Sequence, residues 1–247
     1  MELDAYRYTN PGGRSRNEDS ADCAMEEDRA LFVLADGLGG HQNGDQASQL
    51  VVNTLLEQWR APDRQEGDWG PWLTQAIAQA NRRVLELQQA QGCAMKSTVA
   101  ALVLEGTQAA WAHVGDSRIY RLSNGHIDHA TQDHSVTYKK FLAGEIGRLD
   151  INFDEDRSSL LRVVGDQTRC LPDCGGAPLQ PGDGFLLCSD GFWECLYDEE
   201  ILIDFLKSPT AQDWAETMLV RALPRMEPGG DNLTLMTIRV EERRERW

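Results

Sequence analysis

Asp36 is the residue on which chemistry can be built. It closes the apolar run Ala30-Leu31-Phe32-Val33-Leu34-Ala35 and is followed by Gly37-Leu38-Gly39-Gly40-His41, so a short buried strand ends in an acid and three glycines in four residues. A glycine directly after the acid lets the backbone come close to a ligand, so the Asp36 carboxylate and the Gly37 carbonyl oxygen can face the same hard cation. Asp-Gly is also a common turn dipeptide, so the other acids must decide. The theme recurs: Asp190-Gly191 follows the apolar stretch Gly184 to Ser189, Gly230-Asp231 precedes Leu233 to Val240, Gly115-Asp116 separates two apolar runs, and Glu18-Asp19 adds two more acids. Strands sharing a sheet would bring these carboxylates to one edge. Like-charge repulsion would destabilise such a cluster unless cations filled it. The ligands are all oxygen, with no paired His or Cys, which selects Mg²⁺ or Mn²⁺ over Zn²⁺. The dense polar segment Arg14-Ser15-Arg16-Asn17-Glu18-Asp19-Ser20 is either a solvated loop or an arginine that grips phosphate beside carboxylates that meet a cation.

Other chemistries are excluded. Cys23 to Arg29 formally matches the CxxxxxR of cysteine-dependent phosphatases, but its three consecutive acids, Glu26, Glu27 and Asp28, would repel the anion and raise the thiol pKa. It reads as a polar hairpin turn. Cys170 and Cys174 form a CxxxC without a second pair, so the six cysteines are read as reduced thiols and not as a zinc site. No GxGxxG or GxxxxGK[ST] nucleotide loop occurs.

The elements that must position these residues follow from periodicity. Tyr6 to Thr9 is a first strand, and residues 31 to 35 a second. Asn43 to Arg60 and Pro71 to Gln91 carry apolar residues at spacings of three and four and are two successive amphipathic helices. After Gly92 the period changes: Thr98 to Leu104, Gln108 to His113 and Ser117 to Leu122 are short strands, with a hairpin signal at Ser123-Asn124-Gly125, and read as an antiparallel meander. Asp133-His134-Ser135 precedes a helix that runs to Ala143. Gly144 to Asp156, with five acids and little periodicity, reads as a mobile excursion. Ser158 to Val164 looks helical. Asp198 to Leu206 and Thr210 to Leu223 are helices, the second opened by a Thr210/Asp213 capping box. The tail Glu241 to Trp247 is charged and frayed. Strands in runs and helices in runs indicate a layered α+β sandwich rather than a parallel βαβ fold.

The 247 residues lie near the size at which one core stops growing, which favours a single domain over residues 1–247. With 24 Lys plus Arg against 40 Asp plus Glu, the formal charge of −16 argues against nucleic acid or an anionic membrane as main partner. The opening Met1 to Asn10 has no apolar core and no run approaches a membrane span, so neither a signal peptide nor a membrane segment is expected and the protein is read as cytoplasmic.

Taken in order, Arg14…Glu18-Asp19, Asp36-Gly37-Leu38-Gly39-Gly40-His41, Lys96-Ser97-Thr98, His113-Val114-Gly115-Asp116-Ser117-Arg118, Thr131-Gln132-Asp133-His134-Ser135, Leu161-Arg162-Val163-Val164-Gly165, Ser189-Asp190-Gly191 and Gly230-Asp231-Asn232 resemble the motifs of the bacterial PP2C-type (PPM) metal-dependent Ser/Thr protein phosphatases. The resemblance runs from Tyr6 to Val240. It implies a four-layer α/β/β/α sandwich, two antiparallel sheets flanked by helix pairs, with a binuclear Mn²⁺ or Mg²⁺ site at one edge. By position, Asp36 bridges the two ions, Asp190 and Asp231 complete the first, and the Gly37 carbonyl with Glu18 and Asp19 serves the second, directly or through water. Asp116 with Asp190 is similar to the weaker third-ion site of bacterial members, Arg14 to the phosphate-gripping arginine, and Gly144 to Asp156 to the flap beside the site.

The implied reaction is in-line attack on phosphorus by a water bridging two ions, with no side-chain nucleophile. A monomer acting on phosphoserine and phosphothreonine in proteins, opposite a Ser/Thr kinase of the same cell, is the implied setting. Two positions depart from the family pattern: Leu38 stands where some relatives carry a histidine suggested as general acid, His41 reading instead as structural, and the flap lacks the usual His-Pro before Leu161. A phosphoprotein-binding pseudophosphatase and a phosphatase of small phosphorylated metabolites are the competing readings.

Overall fold

The computed structural model describes residues 2–39, 43–61 and 67–242. Gly40, His41 and the tail from residue 243 lie outside the described residues, and with them the reading of His41 as structural and most of the frayed tail. Two antiparallel sheets lie face to face. One has the order β1 (Glu2–Asn10), β11 (Leu233–Glu241), β10 (Gly184–Cys188), β7 (Arg118–Ser123), β8 (His126–Ala130). The other runs β2 (Asp19–Met25), β3 (Arg29–Leu38), β5 (Val99–Glu105), β6 (Gln108–Val114), β9 (Asp173–Pro178), with the short β4 (Lys96–Ser97) paired to the end of β3.

Side-chain alternation assigns each strand two jobs. Ala30, Phe32 and Leu34 of β3 meet Ile119, Phe185, Leu187 and Met236 between the sheets. Leu31, Val33 and Ala35 point the other way, under the helices α1 (Gly44–Trp59) and α2 (Trp69–Gln91), whose Val51, Leu55, Leu73 and Ile77 are fully buried there. Each such side chain contributes about 1.5–3 kcal/mol. On the far side, α4 (Asp190–Trp193), α5 (Asp198–Lys207) and α6 (Ala211–Ala222) cover Leu186, Cys188 and Leu235 with Phe192, Ile201, Trp214 and Met218. The layers are therefore helix pair, sheet, sheet, helices, the α/β/β/α sandwich. Among the described residues no helix is long and apolar enough to cross a membrane.

Four expectations need correction. The meander is split: β5 and β6 form a hairpin in one sheet, and the chain then crosses at Gly115-Asp116 to place β7 and β8 in the other. Gly115, at φ 106°, makes that turn. Ser158 to Val164 is not helical; Leu160 and Val164 form bridges with Ser135 and Ser97, so backbone pairing overrides the apolar spacing. The hairpin turn near Cys23 is narrower than expected, since Cys23–Met25 belongs to β2 and Glu26 N–H closes the turn on Arg29 O at 2.8 Å.

The excursion 144–156 has structure of its own. A 3₁₀ helix spans Arg148–Phe153, with Ile151 buried beneath it. Its acids are partly spent locally: Asp150 accepts from Gly147 N–H, and Lys140 holds Asp154 at 3.0 Å and Asp156 at 2.8 Å. Before it, α3 (Val136–Leu142) begins where expected, with the Ser135 hydroxyl accepting from Tyr138 N–H.

Candidate metal centre

Each candidate acid sits where a strand stops. Asp19 opens β2 directly opposite Asp36 on β3, and Gly37 follows in the same strand. Asp190 starts α4 two residues after β10, Asp231 lies two residues before β11, and Asp116 fills the crossing between β6 and β7. The sandwich thus brings both sheets' strand ends to one rim. There Arg14, Glu18, Asp36, Gly37, Asp116, Asp190 and Asp231 line a cavity of about 390 Å³. Of the sequence-predicted site residues only Asp19 does not line it; it is buried behind, 8% exposed.

The acids stand under electrostatic tension. Burial, then the neighbouring carboxylates Asp19 and Asp190, push Asp36 well above the ordinary carboxylate range. Asp116 rises likewise through burial and Asp190. Burial lifts Asp19 to about 7, and burial with repulsion from Asp231 lifts Asp190 to about 6. Glu18 is also raised, by burial and by Asp45.

The supporting contacts are specific. Ser189 Oγ donates to Asp19 Oδ2 at 2.8 Å, while Asp19 Oδ1 is buried and has no hydrogen-bond partner among the described residues. Asp36 N–H donates to Thr98 Oγ1 at 2.9 Å, and Thr98 N–H returns to Asp36 O at 2.8 Å. A Cβ on Gly37 would stand 2.1 Å from Gly44 O, so only glycine lets the β3 backbone pass the start of α1 here. Arg14 leans into the site, its guanidinium 3.1 Å from Asp231 Oδ2.

Asn232 fixes the Arg14 loop. Its amide donates to Pro11 O at 2.9 Å and Arg16 O at 2.8 Å, and its oxygen accepts from Glu18 N–H at 2.7 Å. Ser189, Thr98 and Asn232 stand inside the quoted motifs but received no role from the sequence; Ser189 and Asn232 signal themselves as a hydroxyl and an amide directly beside Asp190 and Asp231, whereas Thr98 reaches Asp36 only across strands. Glu194, one turn after Asp190, was missed altogether. Burial and Asp190 push it to about 8.

These residues fit hard divalent ions. The donors are all oxygen, the acids repel one another, and the unpartnered Asp19 Oδ1 is the orphan that an ion or its water would satisfy. Among the described residues no three such side chains already close on one point.

The family described as Protein phosphatase 2C matches residues 12–226. A Streptococcus pyogenes protein whose name places it in the protein phosphatase 2C type is 32% identical over 213 residues, 85% of this chain and 86% of that one. Among solved structures, serine/threonine phosphatase Stp1 from Staphylococcus aureus has a TM-score of 0.89 at 28% identity, covering 98% of this chain and 96% of that one. The catalytic domain of serine/threonine protein phosphatase PstP, solved in complex with two manganese ions, has a TM-score of 0.84 at 28% identity, covering 97% and 99%. With a rim of opposed carboxylates and a family match along most of its length, the chain belongs to the protein phosphatase 2C family.

Proposed function

We propose that this phosphatase removes phosphate from serine and threonine side chains of proteins at the rim cavity, using Mn²⁺ or Mg²⁺ held by Asp36, Asp190 and Asp231 and by Glu18, Asp19 and the Gly37 carbonyl. The carrying observation is that acids from both sheets and Arg14 line one cavity. Asp36 would be the ligand shared by the two ions, and Asp116 with Asp190 would offer a third, weaker position. When bound, the ions supply a water of lowered pKa and positive charge for the phosphoryl oxygens.

The chain's own residues do the rest. The Arg14 guanidinium offers a fork of donors to phosphoryl oxygens, and its exposed position beside Asp231 lets it swing to a ligand. Asn232 keeps that loop against the acids. The segment after the flap closes the opposite wall with Ser158 and Leu160. The residues needed are complete within one chain, which supports a monomer. We place the protein in the cytoplasm, opposite a Ser/Thr kinase of the same cell, on its six free cysteines.

Phosphate release from phosphoserine and phosphothreonine peptides tests the reading. Mn²⁺ should support turnover, EDTA should abolish it, and Asp190→Ala should remove it. Binding of the peptides without release would make the chain a pseudophosphatase. Equal rates on sugar phosphates and phosphopeptides would make it a phosphatase of small metabolites.

A further inference from the structure

We infer that Trp193 is a positioning residue that holds Asp116 and Asp190 in fixed relation, so that the weakest ion position is set by an indole N–H. The inference rests on the assignment of Asp116 and Asp190 to that position.

Trp193 belongs to the same short helix as Asp190, three residues on, and is 3% exposed. Its Nε1–H donates to the backbone carbonyl of Asp116 at 2.9 Å. Asp116 sits in the crossing between the sheets and Asp190 opens the helix after β10, and this bond ties the turn of the one to the helix that carries the other. The ring itself cannot turn away. The Arg118 guanidinium lies 3.4 Å from its ring centroid, a cation–π contact, and is clamped by Asp133 through two bonds of 2.8 and 2.7 Å and by the Tyr120 hydroxyl at 2.9 Å.

The turn before Asp116 is held from the opposite side. Gly115 N–H donates to His134 Nδ1 at 3.1 Å, and Gly115 O accepts from His134 N–H at 2.9 Å. With Gly115 pinned by His134, the Trp193 bond is what sets the onward direction of the Asp116 peptide. A buried indole N–H takes an acceptor wherever it lies. Its partner here is the carbonyl of a cavity-lining acid.

Trp193→Phe keeps an aromatic ring over Arg118 and deletes the N–H. Mn²⁺ binding to the metal-free protein, followed by titration calorimetry, is read for each class of site. The weakest class should lose about fivefold in affinity, as for loss of one neutral hydrogen bond, with the tighter classes unchanged. The Mn²⁺ concentration for half-maximal phosphate release should rise in parallel, with the rate at saturating Mn²⁺ retained.

If Trp193→Phe does not fold, benzothienylalanine at position 193, which replaces the N–H by sulfur at nearly constant shape, gives the same reading. Unchanged affinity of the weakest class in the folded variant overturns the inference. Loss spread equally over all classes also overturns it. Neither result touches the proposed function, which phosphate release from phosphopeptides by the wild-type protein with Mn²⁺ tests separately.

Discussion

Asp19 on β2 stands directly opposite Asp36 on β3, and burial with the Asp19 charge pushes Asp36 well above the ordinary carboxylate range. Carboxyls raised in this way hold protons that a divalent ion must displace. Mn²⁺ binding should therefore release protons. Asp190, raised to about 6, and Asp19, raised to about 7, are protonated at lower pH, so affinity should fall as pH drops through that window. Calorimetry in buffers of different ionisation heat counts the protons; no buffer dependence at pH 6 would contradict this.

The same carboxyls set a pH dependence of stability in the absence of metal. Asp19 has an ordinary value of 3.8 and stands at about 7 in the fold. A raised carboxyl costs nothing below its unfolded value, where both states are protonated. Its penalty accumulates as pH rises from about 4 to about 7 and is constant above. In EDTA, Asp19→Asn should match the wild type in thermal midpoint near pH 3.5, exceed it increasingly up to pH 7, and lose tight Mn²⁺ binding throughout. A wild-type midpoint equal to the variant's at pH 8 would refute the point.

Arg14 reports on phosphate and not on folding. Its ion pair with Asp231 is half exposed, and pairs of that kind contribute about 0–1 kcal/mol. Arg14→Ala should leave the melting temperature within a degree or two and reduce kcat/KM on phosphopeptides roughly 10- to 100-fold, the loss expected for one charge-assisted hydrogen bond. Arg14→Lys should fall between, because it keeps charge and loses the fork. Steady-state kinetics at saturating Mn²⁺ decide it.

Gly37 is irreplaceable for a steric reason. A Cβ there would meet Gly44 O at 2.1 Å and Glu18 O at 2.7 Å, all backbone. Gly37→Ala must push α1 away from β3, lowering the melting temperature by roughly 2–10 °C and displacing the Gly37 carbonyl. Mn²⁺ titration should show loss of one tight site; unchanged binding would remove Gly37 from the ligand set.

The rim was legible in the sequence because an aspartate beside a glycine at the end or the start of an apolar strand is a local signal, and Asp36, Asp190 and Asp231 each carry one. The helices α1, α2, α5 and α6 were legible for the same reason, their apolar stripes being local. What the sequence hid depends on partners far along the chain. Leu160, Leu161, Val163 and Val164 have a helical look, yet hydrogen bonds to Ser97 and His134 draw them into extended backbone. Strand β9, Asp-Cys-Gly-Gly-Ala-Pro, has no apolar alternation and exists because β6 offers it an edge. The split of the meander could not be read from β5 to β8, since Val, Ala and Leu suit either sheet. Asn232 and Trp193 look ordinary in sequence and gain their roles only through the carbonyls they reach.

The central claim is that carboxylates from both sheets converge to hold divalent ions. Diffraction from crystals grown with Mn²⁺, collected for anomalous signal, tests it most directly. The account predicts two strong peaks in the cavity, one touching Asp36, Asp190 and Asp231 and one touching Asp36 and the Gly37 carbonyl, with a weaker third near Asp116. Manganese bound elsewhere, with no peak in contact with Asp36, would contradict it.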